Sequence, residues 1–302
     1  MENLETNPVA KQDDFDAFET ALAAAVREEL GKRGITAELT VLDMVMPGRK
    51  YRGMAAVENG HSGGVANISA LFGEYDGTNL PELARMAADI IADEPSVRDR
   101  MEWLNDYGQM KKRLFARLIS APRNRELLRT VPHRIMADLA VTYSAEISTE
   151  GGVLASTTLR NDNAAELGVT EEQLYRDAVS NMRAMGDWVV ENLYKITGDA
   201  DTGIPLFVLT GNRPNGAANI LIPEAQDALT GILGQKFMIL PSSVHELICL
   251  PYAEEGTEEL EKLVRLVNET SVDPAEVLGE NVLVFDHGDI QTYLPRSAAG
   301  LF

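Results

Sequence analysis

Residues 236–250 read Lys-Phe-Met-Ile-Leu-Pro-Ser-Ser-Val-His-Glu-Leu-Ile-Cys-Leu, and this stretch decides the fold. Two apolar runs, Lys236 to Leu240 and His245 to Leu250, flank Pro241-Ser242-Ser243-Val244. Short apolar runs around a cluster of turn-forming residues read as the two strands of a hairpin. Just beyond them Thr257 caps a helix that turns Leu260, Leu263, Val264 and Val267 inward at three- and four-residue spacing. A hairpin followed by a helix implies antiparallel pairing with helices laid on the sheet, an α+β architecture.

Working outward, the same unit recurs. Pro205 to Leu209 and Ala217 to Ile222 read as strands around the turn Thr210-Gly211-Asn212-Arg213-Pro214-Asn215-Gly216, and Pro223 opens a short helix. Upstream, Ile135 to Ile147 and Val153 to Leu159 read as strands separated by Gly151-Gly152. A helix follows, with Thr170 and Gln173 at capping-box spacing and Leu174, Ala178, Val179, Met182 and Met185 inward. Downstream, Val282 to Phe285 and Ile290 to Leu294 flank Asp286-His287-Gly288-Asp289. Residues 135–302 therefore form one lobe of strand-strand-helix units, with helices on one face of antiparallel sheets.

The N-terminal part is built differently. Phe15, Phe18, Leu22, Val26 and Leu30 make one stripe of a helix from about Asp13 to Gly34. Ile35 to Met46 and Tyr51 to Val57 read as strands about the turn Pro47-Gly48, Glu58 to Gly64 as a loop, and Val65 to Phe72 as a third strand. Asn79 opens a helix with Leu83, Ala87, Ile90 and Ile91 inward. These elements define a first lobe over 1–95. Between the lobes, Ser96 to about Leu118 reads as a helix, starting a connector over 96–134.

Charge is uneven. With 27 basic and 47 acidic side chains among 302 residues the net charge is −20, which disfavours a surface built to grip nucleic acid. Yet Arg98 to Arg134 holds ten basic residues against four acids. That excess fits either an acidic partner or docking on the acidic remainder of the same chain.

The start Met1-Glu2-Asn3-Leu4-Glu5 has no basic, apolar leader, and no stretch approaches a membrane span. Together with a single cysteine, Cys249, this points to the cytoplasm. Cys249 reads as a small buried hydrophobe in preference to a nucleophile. No phosphate loop, dinucleotide fingerprint, nucleophile elbow or zinc pattern is present, so no metal and no cofactor is expected.

Two clusters remain as candidate sites. In the first, Ser243 would be a nucleophile, His245 its base and Glu246 the orienting acid, with Ser242 alongside as a ligand contact. Ser243 and His245 share a strand face while Glu246 points away, which favours a hairpin with capped backbone groups over a triad. In the second, Arg123, Arg125, His133 and Arg134 offer guanidinium forks for a small anionic ligand. The Asn212 to Ala218 turn lacks a lysine and reads as a tight turn, not a phosphate cradle.

The segments 124–128, 131–134 and 138–143, with Leu167 to Tyr175, Val208-Leu209-Thr210 and Ile239 to Glu246, resemble an uncharacterised bacterial family carried as a domain of unknown function and frequent in gut-dwelling anaerobes. The Leu240-Pro241-Ser242-Ser243-Val244-His245-Glu246 stretch is the most specific part. The likeness runs through nearly the whole chain. Arg160 to Glu166, bulkier in that family, and the Gly-rich loop at His61 depart from it. It implies the boundaries above and a cytoplasmic setting, and it implies no activity.

Two principal readings follow. The favoured one is a non-catalytic binding or interaction protein for a protein or a small anionic ligand. The alternative is a hydrolase or transferase centred on Ser243, His245 and Glu246. An acidic nucleic-acid mimic is weaker, because no ordered row of carboxylates is visible. The sequence sets no oligomeric state.

Overall fold

The computed structural model describes residues 8–36, 38–46, 49–58, 61–92, 102–148, 155–198 and 203–293. The chain divides into two compact units, 1–102 and 103–302. The expected cap at Ser96, the turns Pro47-Gly48 and Gly151-Gly152, and Arg98 and Arg100 lie outside the described residues. The architecture is α+β, with antiparallel sheets throughout.

In the first unit, helix α1 (Pro8–Lys32) precedes a three-stranded sheet of β1 (Glu38–Met46), β2 (Arg49–Glu58) and β3 (His61–Asn67). Helices α2 (Ile68–Gly73) and α3 (Leu80–Ala92) follow. The stripe Phe18, Leu22, Val26 and Leu30 is buried against Met54, Ala66, Leu83, Ala87 and Ile91, as the helical period requires. Of the expected loop, Glu58 ends β2, His61 to Gly64 belong to β3 and residues 59–60 lie outside the described residues; the expected third strand ends at Asn67, where Asn67 Oδ1 accepts from Ala70 N–H and starts α2. Gly64 permits this because a Cβ there would stand 2.0 Å from the Ile90 carbonyl oxygen of α3.

The second unit holds a four-stranded and a six-stranded sheet. The first contains β4 (Leu114–Ser120), β6 (Leu139–Ser148), β5 (His133–Met136) and β7 (Ala155–Thr158). Strand β6 is central, pairing with β4 on one side and with β5, then β7, on the other. The expected helix from Ser96 to Leu118 is corrected here. Among the described residues from 102 on, only short helical turns, including α4 (Tyr107–Met110), precede β4. The alternation of Leu114, Ala116 and Leu118, all buried, has period two and wins over the preceding charge run. The expected strand Ile135 to Ile147 is two strands, turned at Ala137, which adopts φ 54°.

The six-stranded sheet runs β13-β12-β10-β11-β9-β8, made of β8 (Val189–Asn192), β9 (Phe207–Thr210), β10 (Lys236–Ser243), β11 (Glu246–Pro251), β12 (Leu283–Asp286) and β13 (Asp289–Thr292). Hairpin precedes helix three times. β6 and β7 lead to α6 (Asn161–Glu166) and α7 (Glu171–Met185), β8 and β9 to α9 (Pro223–Leu233), and β10 and β11 to α10 (Thr257–Thr270); the numbering also counts α5 (Arg125–Leu128) and α8 (Leu193–Thr197). The expected strand Ala217 to Ile222 is a 3₁₀ turn, Gly216–Leu221, buried at every position and so without the alternation that marks a half-buried strand.

The main core lies between the sheets. Leu118, Val141 and Tyr143 meet Leu174, Ala178 and Met182 of α7 and Phe237, Ile239 and Phe285 of the larger sheet. Met238, Leu240 and Leu250 point the other way, to Val264 of α10 and to Val282 and Tyr293. Burial on both faces explains why β10 is an unbroken apolar run.

Candidate functional site

The β10–β11 turn is built from Ser243, Val244 and His245. Ser243 Oγ accepts from the His245 backbone N–H at 3.1 Å, closing a hydroxyl-bridged turn. The His245 ring has other partners: Nδ1 accepts from Asn215 N–H at 3.3 Å and Nε2 stands 3.3 Å from Glu276 Oε1. Those contacts place the proton on Nε2 and occupy both nitrogens. Glu246 pairs with Ser243 across the ladder, and the carboxylate beside the imidazole is Glu276. Ser242 and Ser243 are buried at the end of β10. Ser243, His245 and Glu246 are thus neighbours along the backbone, and their hydrogen bonds run to the backbone and to Glu276.

The arginine cluster disperses. Arg123 reaches Glu280 at 3.6 Å and the Pro274 carbonyl at 3.3 Å. Arg125 is exposed on the first turn of α5. His133 Nδ1–H donates to the Val131 carbonyl at 3.0 Å. Arg134 pairs with Glu171 at 3.0 Å and Glu172 at 2.5 Å and lies 4.0 Å over the Tyr175 ring. Tyr143 donates to Glu171, and burial with that carboxylate pushes its hydroxyl far above the usual phenol range. Arg134 therefore fastens the N-terminus of α7 to the sheet, where Glu171 and Glu172 also suit the helix dipole. Arg123 and Arg134 of the basic segment dock on acids of the same unit.

The site that sequence reasoning missed is organised by Asp187. Its carboxylate accepts from Asn212 N–H at 3.0 Å, Asn212 Nδ2 at 2.7 Å and Arg213 N–H at 3.1 Å. Asn219 Nδ2 bridges the Asp187 and Thr210 carbonyls at 3.1 and 3.0 Å. Held on both sides, the 210–216 loop supplies residues 213–216 as one wall of a shallow cleft of about 40 Å³. Phe115 and Ala116 of β4 and Met182 and Met185 of α7 supply the apolar wall. Arg213 crosses the rim to Glu146 of β6 at 2.6 Å. The cleft joins an apolar floor to a neutralised ion pair, and Met side chains adapt to varied shapes. Its residues come from four separate stretches, so only the turn 210–216 was visible as a motif.

The family model of a family of unknown function, DUF5688, matches residues 15–287. The chain belongs to this family. Neither the curated proteins nor the solved structures contain a significant match. DUF5688 membership spans both compact units and supplies a family without an activity, so function rests on the geometry. Among the described residues no group of three or more His, Cys, Asp or Glu is placed to hold a metal ion, and no helix is long and apolar enough to cross a membrane.

Cys249 is fully buried, opposite Ile239 and Phe207 in the ladder, and burial pushes its thiol well above the ordinary range. Its folded value is raised, so its contribution to stability is complete below the unfolded thiol pKa of about 8.5 and is lost as pH rises above it. The slope is at most about 1.4 kcal/mol per pH unit. Urea midpoints at pH 7 and pH 10 check this, since Cys249→Ala should flatten the alkaline fall. A thiol reagent should label Cys249 only after unfolding.

Proposed function

We propose that the protein is a cytoplasmic, non-catalytic binding protein whose second unit captures a neutral, largely apolar ligand group in the cleft between β4, the end of α7 and the 210–216 loop. The observation that carries this reading is the pairing of Phe115, Met182 and Met185 with a loop locked by Asp187, a preformed concave surface. The occupied nitrogens of His245 and the backbone engagement of Ser243 favour binding over acyl transfer, which needs a free base nitrogen facing a hydroxyl. The lone buried thiol supports a reducing compartment.

Titration with the neutral fluorophore N-phenyl-1-naphthylamine tests the cleft. Saturable enhancement is expected, weakened about fivefold or more in Met185→Ala and unchanged in Ser243→Ala, which should lose only about 1 kcal/mol of stability. Turnover of p-nitrophenyl acetate that disappears in Ser243→Ala would overturn the reading in favour of a hydrolase.

A further inference from the structure

The four-stranded sheet has a second face, turned away from the main core. Arg117 of β4 lies directly opposite Thr142 of β6, and Thr142 directly opposite His133 of β5. Directly opposed residues share a face, so these three form one cross-strand row. The next row holds Ser144, opposite Thr158, with their hydroxyl oxygens 3.4 Å apart. Arg117 Nη2 donates to Ser156 Oγ of β7 at 2.8 Å, spanning the central strand.

Two donors on this face are unused. Arg117 Nε is buried with no hydrogen-bond partner, and so is Thr142 Oγ1, on a residue that is 0% exposed. The nearest acid on this face of β6 is Glu146, and Arg213 holds it at 2.6 Å. No carboxylate pairs with Arg117 among the described residues; its guanidinium rests 5.3 Å over Phe115, and burial lowers its affinity for the proton. A buried guanidinium N–H and a buried hydroxyl left without acceptors are each costly, and one oxygen-bearing anion would satisfy both.

We propose that this face of the four-stranded sheet is a binding site for a small oxyanion, with Arg117 as its charged receptor and Thr142 as a hydroxyl donor. The chemistry is that of a carboxylate or phosphate group, whose oxygens match a guanidinium edge. A chloride ion offers no such fork. Arg117 as a residue is half-buried while its Nε and Thr142 Oγ1 are sealed, so the group enters as the guanidinium swings away from Ser156. The proposal does not rest on the cleft, because its donors belong to a different set of residues.

The test is a titration of the full chain with sodium phosphate and, separately, sodium acetate at constant ionic strength set by sodium chloride, read by calorimetry and by the melting temperature. Saturable binding of either anion is expected, and which one binds identifies the source of the oxyanion. Thr142→Val, which keeps shape and removes the hydroxyl, should weaken it about tenfold, and Arg117→Gln should abolish it. Met185→Ala should leave it unchanged, separating this site from the cleft. No response of the wild type to either anion, or an undiminished response in Thr142→Val and Arg117→Gln, would overturn the proposal and leave Arg117 as a crossbar to Ser156. If Arg117→Gln fails to fold, the wild-type titration and Thr142→Val still decide.

Discussion

Gly216→Ala is expected to destabilise the second unit by about 3 kcal/mol, far more than a surface glycine substitution. A Cβ at Gly216 would stand 2.5 Å from the His245 carbonyl oxygen, 2.6 Å from Gly211 N and 3.0 Å from the Thr210 carbonyl carbon. All three are backbone atoms, so no side-chain rotation relieves the overlap. The loop would have to lift from the β10–β11 turn. Three hydrogen bonds cross that junction: Thr210 Oγ1 to the His245 carbonyl at 3.0 Å, Asn215 N–H to His245 Nδ1 at 3.3 Å and Ala217 N–H to the Val244 carbonyl at 3.2 Å. Overpacking alone costs about 1–3 kcal/mol, and each lost bond adds about 1 kcal/mol. Urea unfolding measures the shift. Gly231→Ala is the internal control, because Gly231 lies within α9 with open space around it, and alanine there should stabilise by up to about 1 kcal/mol. Equal stability of Gly216→Ala and wild type would show that the loop does not bear on the turn. The same variant should also lose the fluorophore site, because the cleft wall moves with the loop.

Phe237→Ala should cost about 3–5 kcal/mol. Phe237 is fully buried and stacks on Phe285, its ladder partner on β12, with ring centroids 4.7 Å apart and planes 15° from parallel. Truncation removes the ring from the core shared by both sheets and leaves a cavity that the paired strands prevent from collapsing. Phe237→Leu keeps most of the volume and should cost less than half as much. A double-mutant cycle with Phe285→Ala should return a coupling of about 1 kcal/mol from the stack. A cost for Phe237→Ala below about 1 kcal/mol would mean that the ring does not sit at the centre of the core.

Legibility differed from element to element for physical reasons. Helix α7 was readable from its Thr170–Gln173 capping box, and the structure shows both halves of that box formed. The stripe of α1 was readable because one face of a long helix must be apolar at a period near 3.6. Strand β4 was not readable as such: ten basic residues in the window around it drew attention to charge, while its period-two signal covered only a few positions. For the candidate sites the contrast is sharper. Ser243, His245 and Glu246 attracted notice because they are adjacent in sequence, yet strand geometry and the turn commit their polar atoms to Asn215, Glu276 and the backbone. Asp187 and Phe115 drew no notice, Met182 read only as a packing residue and Arg213 only as part of a turn, because no short motif joins them.

The sequence by itself determined the α+β class, the β10–β11 hairpin followed by its helix, and the buried stripe Leu174, Ala178 and Met182 of α7, since each depends on period, caps and turn residues within about twenty positions, whereas Met185 and Leu263, read as inward, are exposed. Tertiary structure alone decided which polar groups meet. Arg117 and Thr142 are twenty-five positions apart, and only the register of β4 on β6 sets them side by side, one with an idle guanidinium N–H and the other with an idle hydroxyl. Register is a property of paired strands: shifting it by one residue would turn these two side chains to opposite faces of the sheet, and no local pattern in either strand records it.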